Sequence, residues 1–219
     1  MRDAEADDVI VTGLDAATRA LVELSIVIAT AQEPELRSGM QRAVCAPLDP
    51  TWVEELILQS YIFAGFPRAL NAAREWRRAS GIPAPRADAD MTDHDGSARY
   101  ERWRERGEVT CATVYGSAYE RLRSNIRELH PALDEWMIVE GYGKLLGRPA
   151  LDLRRRELCI VAVCGALGQE RQLHAHLRGA MNAGATTAEV RDTLDIVSTH
   201  VDEETANRFD HLWNRVRKQ

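Results

Sequence analysis

Two residues in the last third of the chain, Glu157 and His176, offer the groups that most often move protons near neutral pH. Glu157 lies in an apolar run where, at about 100° per residue, it shares one helical face with Ile160 and Cys164. Burial on that face would strip water from the carboxyl group and raise its pKa, which makes Glu157 a candidate general base or acid. The alternative is a first-turn glutamate that stays solvated among Arg154–Arg156.

His176 borders the apolar stripe of the next predicted helix, and Gln169 and Gln172 lie along the same polar edge. We expect these two amides to line any site at His176, although a histidine satisfied within the core is the alternative. His174 points to the opposite margin, one turn after Glu170. Those two could bind a metal ion, but two ligands do not make a site, so a surface pair is favoured and no metal is predicted.

The chain repeats itself at a spacing of 137 residues, because residues 14–72 align without gaps onto residues 151–209. Identical residues fall both at predicted helix starts, such as Asp15 and Asp152, and at apolar positions, such as Leu21 and Leu158. Composition alone does not explain matches of both kinds, so the pattern indicates a duplication.

The fold class predicted is all-α, a duplicated helical bundle, since Ala and Leu are abundant and β-branched residues sparse. Each copy is predicted to contain three helices, with Asp15 and Asp152 capping the first. The predicted organisation is a first, degenerate copy in residues 1–80, a linker in residues 81–97 and a second copy with its preceding helices in residues 98–219. The linker is rich in Pro, Gly and Asp.

Charge and composition exclude several classes of function. The net charge is -6 and the sequence shows no face on which basic residues cluster, which argues against nucleic-acid binding. The longest apolar run, residues 158–168, is shorter than the roughly 18 residues that a membrane span requires, and the acidic N-terminus lacks the pattern of a secretory signal. The four cysteines show no disulfide spacing, and Cys159 and Cys164 are predicted to be core thiols. A cytoplasmic protein is therefore expected.

Several segments resemble the carboxymuconolactone decarboxylase family, which belongs with the alkylhydroperoxidase-D-like superfamily. In copy two these are residues 156–158 and 173–184, with residues 142–151 as the lead-in, and in copy one they fall within residues 57–72. The resemblance implies a compact helical bundle that self-associates as a trimer or hexamer. It also assigns the family's relay glutamate to Glu157 and its histidine to His176.

Peroxidase members of that superfamily carry a Cys-x-x-Cys ahead of the histidine. Here Gln169 and Gln172 occupy those two positions, so the sulfur nucleophile is missing and thiol peroxidase activity is not expected. The resemblance instead implies a cofactor-free lyase that acts on a small carboxylated lactone or unsaturated acid. The carboxylate would leave as carbon dioxide, and an acid would reprotonate the carbon.

The two copies differ at the chemical positions, since copy one has Ala20 where copy two has Glu157, and Gly39 where copy two has His176. We therefore expect one composite site per chain, catalysed by Glu157 and His176. Arg178 is a candidate anion clamp because of its forked guanidinium, although it could equally face solvent. Three aromatic residues are also predicted to contact the substrate, namely Tyr61, Phe63 and Tyr142. Tyr61 and Phe63, which belong to copy one, could equally be core residues.

Two further functions remain open from the sequence. A relative with the same site could catalyse an isomerisation or cyclisation by proton transfer. A protein that kept the fold and lost its activity would be a non-catalytic oligomeric scaffold. A shaped polar cavity around Glu157 and His176 would favour the enzymes, and a solid core would favour the scaffold.

Overall fold

The computed structural model describes residues 13–86, 88 and 95–218, and every regular element in them is helical. The prediction of an all-α protein is therefore confirmed. Residues 87 and 89–94 of the predicted linker lie outside the described residues, and so do residues 1–12, on which the prediction about a secretory signal depends. No helix in the described part of the chain is long and apolar enough to cross a membrane.

Each copy contains four helices, so the prediction of three was wrong. Corresponding helices of the two copies begin 137 residues apart. Those of copy one are α1 Ala16–Thr30, α2 Glu33–Cys45, α3 Pro50–Phe63 and α4 Phe66–Ser80. Those of copy two are α8 Leu153–Ala166, α9 Glu170–Asn182, α10 Thr187–Ser198 and α11 Glu203–Val216. The fourth helix of copy one, α4, begins at Phe66. Gly65 has a φ of 95°, which turns the chain sharply after α3, and Pro67 fits the first turn of the new helix.

The helix starts follow the capping rules on which the sequence prediction was based. Asp15 accepts a hydrogen bond from the backbone N–H of Thr18 at 2.7 Å, and Asp152 accepts one from that of Arg155 at 3.0 Å. At the start of α10, Thr186 and Glu189 form a capping box. These local contacts explain why corresponding helices start at corresponding residues.

The central segment adds helices that neither copy of the repeat contains. They are α5 Gly96–Tyr115, a 3₁₀ turn Gly116–Ala118, α6 Tyr119–Leu129 and α7 Pro131–Trp136, which continues as the π-helical segment Met137–Leu146. α5 packs against both the π-helical segment and α9. Gly107 and Gly143 permit this close crossing, since a Cβ on either would overlap the opposite backbone. The central segment therefore packs on α9 of copy two, and its π-helical part also contacts α3 of copy one.

The two copies meet through a reciprocal contact. Arg156 of α8 pairs with Glu55 of α3 at 2.6 Å. Their counterparts in the other copy, Arg19 and Asp192, pair at 3.2 Å. Each copy thus contributes the arginine of one ion pair and the acid of the other. The same reciprocity is found at two-fold interfaces between identical subunits. Here the two partners are the halves of one chain.

The two ion pairs differ in burial. Arg156 is fully buried and also donates to the carbonyl oxygen of Leu151, whereas the side chain of Arg19 is 44% exposed. Glu55 accepts further hydrogen bonds from Arg148 at 2.9 and 3.0 Å. Burial raises the pKa of Glu55, but the hydrogen bonds and charges of Arg148 and Arg156 outweigh it and hold the pKa below its ordinary value.

Replacing Glu55 should therefore cost much more stability than replacing its counterpart. Glu55→Gln leaves the buried Arg156 guanidinium without an opposite charge, and we expect the free energy of unfolding to fall by about 3–5 kcal/mol. Asp192→Asn is the matched control at the exposed pair, where we expect a loss of about 1 kcal/mol or less. Urea unfolding of the two variants measures the difference. Equal losses would show that burial does not distinguish the two pairs.

Candidate active site

Glu157 and His176 form a buried hydrogen-bonded pair between α8 and α9. His176 Nδ1 lies 2.8 Å from Glu157 Oε2. Glu157 has no exposed surface and His176 is 4% exposed. The sequence predicted both residues but did not predict that they touch. With the carboxylate on Nδ1, the imidazole is held in a fixed orientation and Nε2 remains available to exchange a proton.

The alternative of a solvated first-turn glutamate is wrong, because the neighbouring arginines turn to other partners. Arg156 pairs with Glu55, Arg154 with Glu189, and Arg155 with Asp152. None of the three forms an ion pair with Glu157 in the part of the chain that the structure describes. Glu157 Oε1 has no hydrogen-bond partner among the described residues. A buried carboxylate oxygen left unpaired in this way costs stability, and such groups are typical of functional sites.

Small and aromatic residues enclose the pair. Gly179 lies one turn beyond His176, and a Cβ there would come within 2.5 Å of Glu157 Oε2. The ring of Phe63 packs edge-on against the imidazole with centroids 5.7 Å apart, and that of Tyr115 packs at 6.4 Å. Phe63 comes from copy one, so both copies contribute side chains to the surroundings of the pair.

Two tyrosines form the next layer around the pair. Tyr115 and Tyr142 pack edge-on with ring centroids 6.2 Å apart. Burial raises the pKa of Tyr115 to about 12, so its hydroxyl remains a hydrogen-bond donor at neutral pH. Burial likewise raises the pKa of Cys111 and Cys164 to about 12, with a further contribution from the charge of Glu157. Both thiols therefore behave as apolar groups.

A cleft of about 450 Å³ lies on the other side of Tyr115, between α9, the end of α5, α6 and the end of α11. Its polar side chains are Ser117, Arg121, Asn125, His174, Arg178 and Asn182. Its apolar wall consists of Val114, Leu122, Met181, Val216 and the ring of Tyr115. Tyr115 is thus shared by the cleft and the buried pair, whereas Glu157 and His176 do not line the cleft. The pair itself is packed in the core, which is what the scaffold alternative predicted there, and the polar cavity that the enzyme alternatives predicted lies next to the pair.

The other predicted site residues fall in different places. Arg178 lines the cleft and Tyr142 is buried beside Tyr115. Gln169 and Gln172 are exposed at the start of α9 and do not line the cleft. Tyr61 is 44% exposed and packs against Phe66, away from His176.

Sequence reasoning missed Tyr115, Arg121 and Asn125 as site residues. In the sequence, Tyr115 has only the helical spacing of an apolar position. Arg121 and Asn125 lie one turn apart on α6, where an arginine and an asparagine look like an ordinary solvated face. No local pattern marks them, because the cleft forms only where α6 packs beside α9. Among the described residues, Glu170 and His174 belong to no group of three or more side chains arranged to bind a metal ion.

In copy one the equivalent place holds no such pair. Ala20 and Gly39 leave a cleft of about 110 Å³, and Val27 occupies the space beside Gly39. A Cβ on Gly39 would come within 2.6 Å of the Val27 side chain. Only copy two therefore carries a buried carboxylate and imidazole together.

The comparisons with known proteins agree with this duplication. A protein 24% identical over 188 residues, named Peroxisomal protein 2, comes from Schizosaccharomyces pombe, and the match covers 84% of this chain and 86% of that protein. The 4-carboxymuconolactone decarboxylase of Acinetobacter baylyi is 25% identical over 118 residues, covering 54% of this chain and 88% of the bacterial protein. The model of the carboxymuconolactone decarboxylase family matches residues 1–78 and again residues 131–210. The chain therefore belongs to the carboxymuconolactone decarboxylase family, as a member in which the family's helical repeat occurs twice.

Proposed function

We propose that this protein is a cofactor-free acid–base enzyme that decarboxylates a small carboxylated lactone or unsaturated acid. The observation that carries the proposal is the buried hydrogen bond between His176 Nδ1 and Glu157 Oε2. With Glu157 holding Nδ1, the imidazole is oriented so that His176 can take a proton at Nε2 and return it. The named decarboxylase among the relatives supports the reaction class.

The reaction would proceed in two steps. The bond between the substrate carbon and its carboxylate breaks, carbon dioxide leaves, and the electron pair moves into a conjugated carbonyl group. The imidazolium of His176 then donates its proton to the carbon, and water restores that proton. Because the carbanion-like intermediate is short-lived and readily protonated, a site closed to bulk water favours controlled protonation. Phe63 and Tyr115, which pack on the imidazole, would provide that closure.

The substrate would enter through the cleft beside α9. Arg178 would bind its carboxylate there, and Tyr115 separates the cleft from His176. A small rotation of the Tyr115 ring would therefore bring the substrate and the imidazole together. An isomerase with the same pair would move a proton without releasing carbon dioxide. A scaffold would neither turn over nor bind an organic anion. The trimer or hexamer and the cytoplasmic location stay predictions.

Removing either member of the pair should abolish most of the activity. With 4-carboxymuconolactone as the test substrate, we expect Glu157→Gln and His176→Gln each to lower kcat about 10²- to 10⁴-fold, the range associated with general acid–base catalysis. Ultraviolet absorbance follows loss of the lactone, and trapped carbon dioxide separates decarboxylation from isomerisation. His200→Gln, at an exposed histidine of copy two, should retain full activity. Wild-type enzyme that consumes no lactone would remove the decarboxylase assignment.

Gly179→Ala tests whether the position of the pair matters beyond its presence. The added methyl group would press on Glu157 Oε2, so we expect the carboxylate to shift and kcat to fall about 10- to 100-fold. Gly165→Ala is the matched control, because it overpacks α8 against Val197 at a similar distance, away from the pair. Both variants should lose about 1–3 kcal/mol in urea unfolding. Equal activity in the two variants would contradict a positional role for Gly179.

A further inference from the structure

The cleft beside α9 carries positive charge that nothing in the described structure neutralises. Arg121 and Arg178 both line it, and neither forms an ion pair with a described residue. No aspartate or glutamate lines the cleft. Arg178 is half-buried, and most buried or half-buried arginines among the described residues have acidic partners, such as Arg123 with Asp134, whereas Arg121 is exposed at the mouth of the cleft. Two unpaired guanidinium groups in one concave site, in a chain with a net charge of -6, indicate an anionic ligand.

A histidine in the cleft adds no third positive charge near pH 7. His174 shares the cleft with Arg178, and its pKa lies below the ordinary value, through burial first and then through the charges of Arg178 and Arg215. The imidazole is therefore neutral near pH 7 and can serve as a hydrogen-bond partner. The groups facing the cleft thus present two cations and several neutral polar groups.

The opposite wall of the cleft is apolar. Val114, Leu122 and Met181 lie there with the ring of Tyr115. Asn182 uses its amide N–H on the carbonyl oxygen of Val114 at 2.9 Å, so its own amide oxygen remains for a ligand. An inorganic anion would leave such a wall wet, whereas an organic acid covers it with its carbon skeleton. The volume of about 450 Å³ suits a small molecule.

Arg121 belongs to the central segment and not to the repeat. The copy-one residue at the Arg178 position is Gln41. The cleft formed with α6 lies beside the copy that carries Glu157 and His176. Since α6 and α9 each contribute one guanidinium, the placement of α6 sets the number of charges that a ligand meets.

We propose that Arg121 and Arg178 together form the anion-binding part of this site, and that Arg121 of the inserted helix makes it prefer two carboxylates over one. The inference rests on the proposed function for its link to catalysis, since Tyr115 joins the cleft to His176. The binding itself needs no proton transfer. Arg121 is a specificity-determining residue, and the apolar wall holds the carbon chain between the two charges.

Calorimetric titration with two matched probes tests the proposal. The dianion trans,trans-muconate and the monoanion sorbate share a six-carbon diene and differ in one carboxylate. We expect the wild-type protein to bind muconate at least tenfold more tightly than sorbate. Arg121→Gln should weaken muconate binding about 10- to 100-fold and abolish that preference, and Arg178→Gln should weaken both probes. Arg121→Lys should recover part of the affinity, because the charge returns without the fork.

Two controls make the outcomes separable. Arg42→Gln, at an exposed arginine of copy one, should leave both affinities unchanged. Glu157→Gln should still bind muconate. Wild-type protein that binds muconate but turns over no lactone would overturn the proposed function and leave the anion site intact. Affinities that are unchanged in Arg121→Gln and Arg178→Gln would overturn the anion site, and so would equal binding of the neutral sorbyl alcohol. Urea unfolding confirms that each variant is folded.

Discussion

The buried ion pair between Arg156 and Glu55 joins the two copies, and Arg156 directly precedes Glu157 on α8. A buried guanidinium must find an opposite charge and enough acceptors, so its position is tightly determined. Glu55 on α3 and the carbonyl oxygen of Leu151 meet that requirement. With Arg156 directed at copy one, Glu157 is directed towards α9 and His176. The same interaction that holds the halves together therefore orients the candidate catalytic carboxyl group.

The near-symmetry of the duplication makes its asymmetries informative. Corresponding helices, caps and interface pairs are present in both copies, which is what selection for stability would retain. The carboxylate and imidazole are present in one copy only, and the cleft that the central segment helps to form lies beside that copy. A buried, partly unsatisfied carboxyl group destabilises a protein, so its retention in a single place is more simply explained by function than by folding.

Helix packing separates the buried pair, Glu157 and His176, from the cleft that is open to solvent. Gly179 lets α9 approach Glu157 closely, and the rings of Phe63 and Tyr115 close over the imidazole. Proton transfer benefits from a low dielectric, whereas an anion must be recruited from water. Tyr115 contacts both regions and so lies where these two requirements meet.

The sequence by itself determined the all-α class, the repeat and its spacing, and the capped helix starts. It also indicated Glu157 and His176 as the candidate acid–base residues. These features depend on local rules or on self-similarity, which a single chain displays directly. Only the tertiary structure decided that Glu157 is buried, since its neighbours Arg154–Arg156 could have solvated it had Glu55 and Glu189 not been within reach. It also decided that Tyr61 faces outward and that Arg121 joins Arg178. Those outcomes depend on which helices pack together, and residues far apart in the chain carry no local mark of their contact.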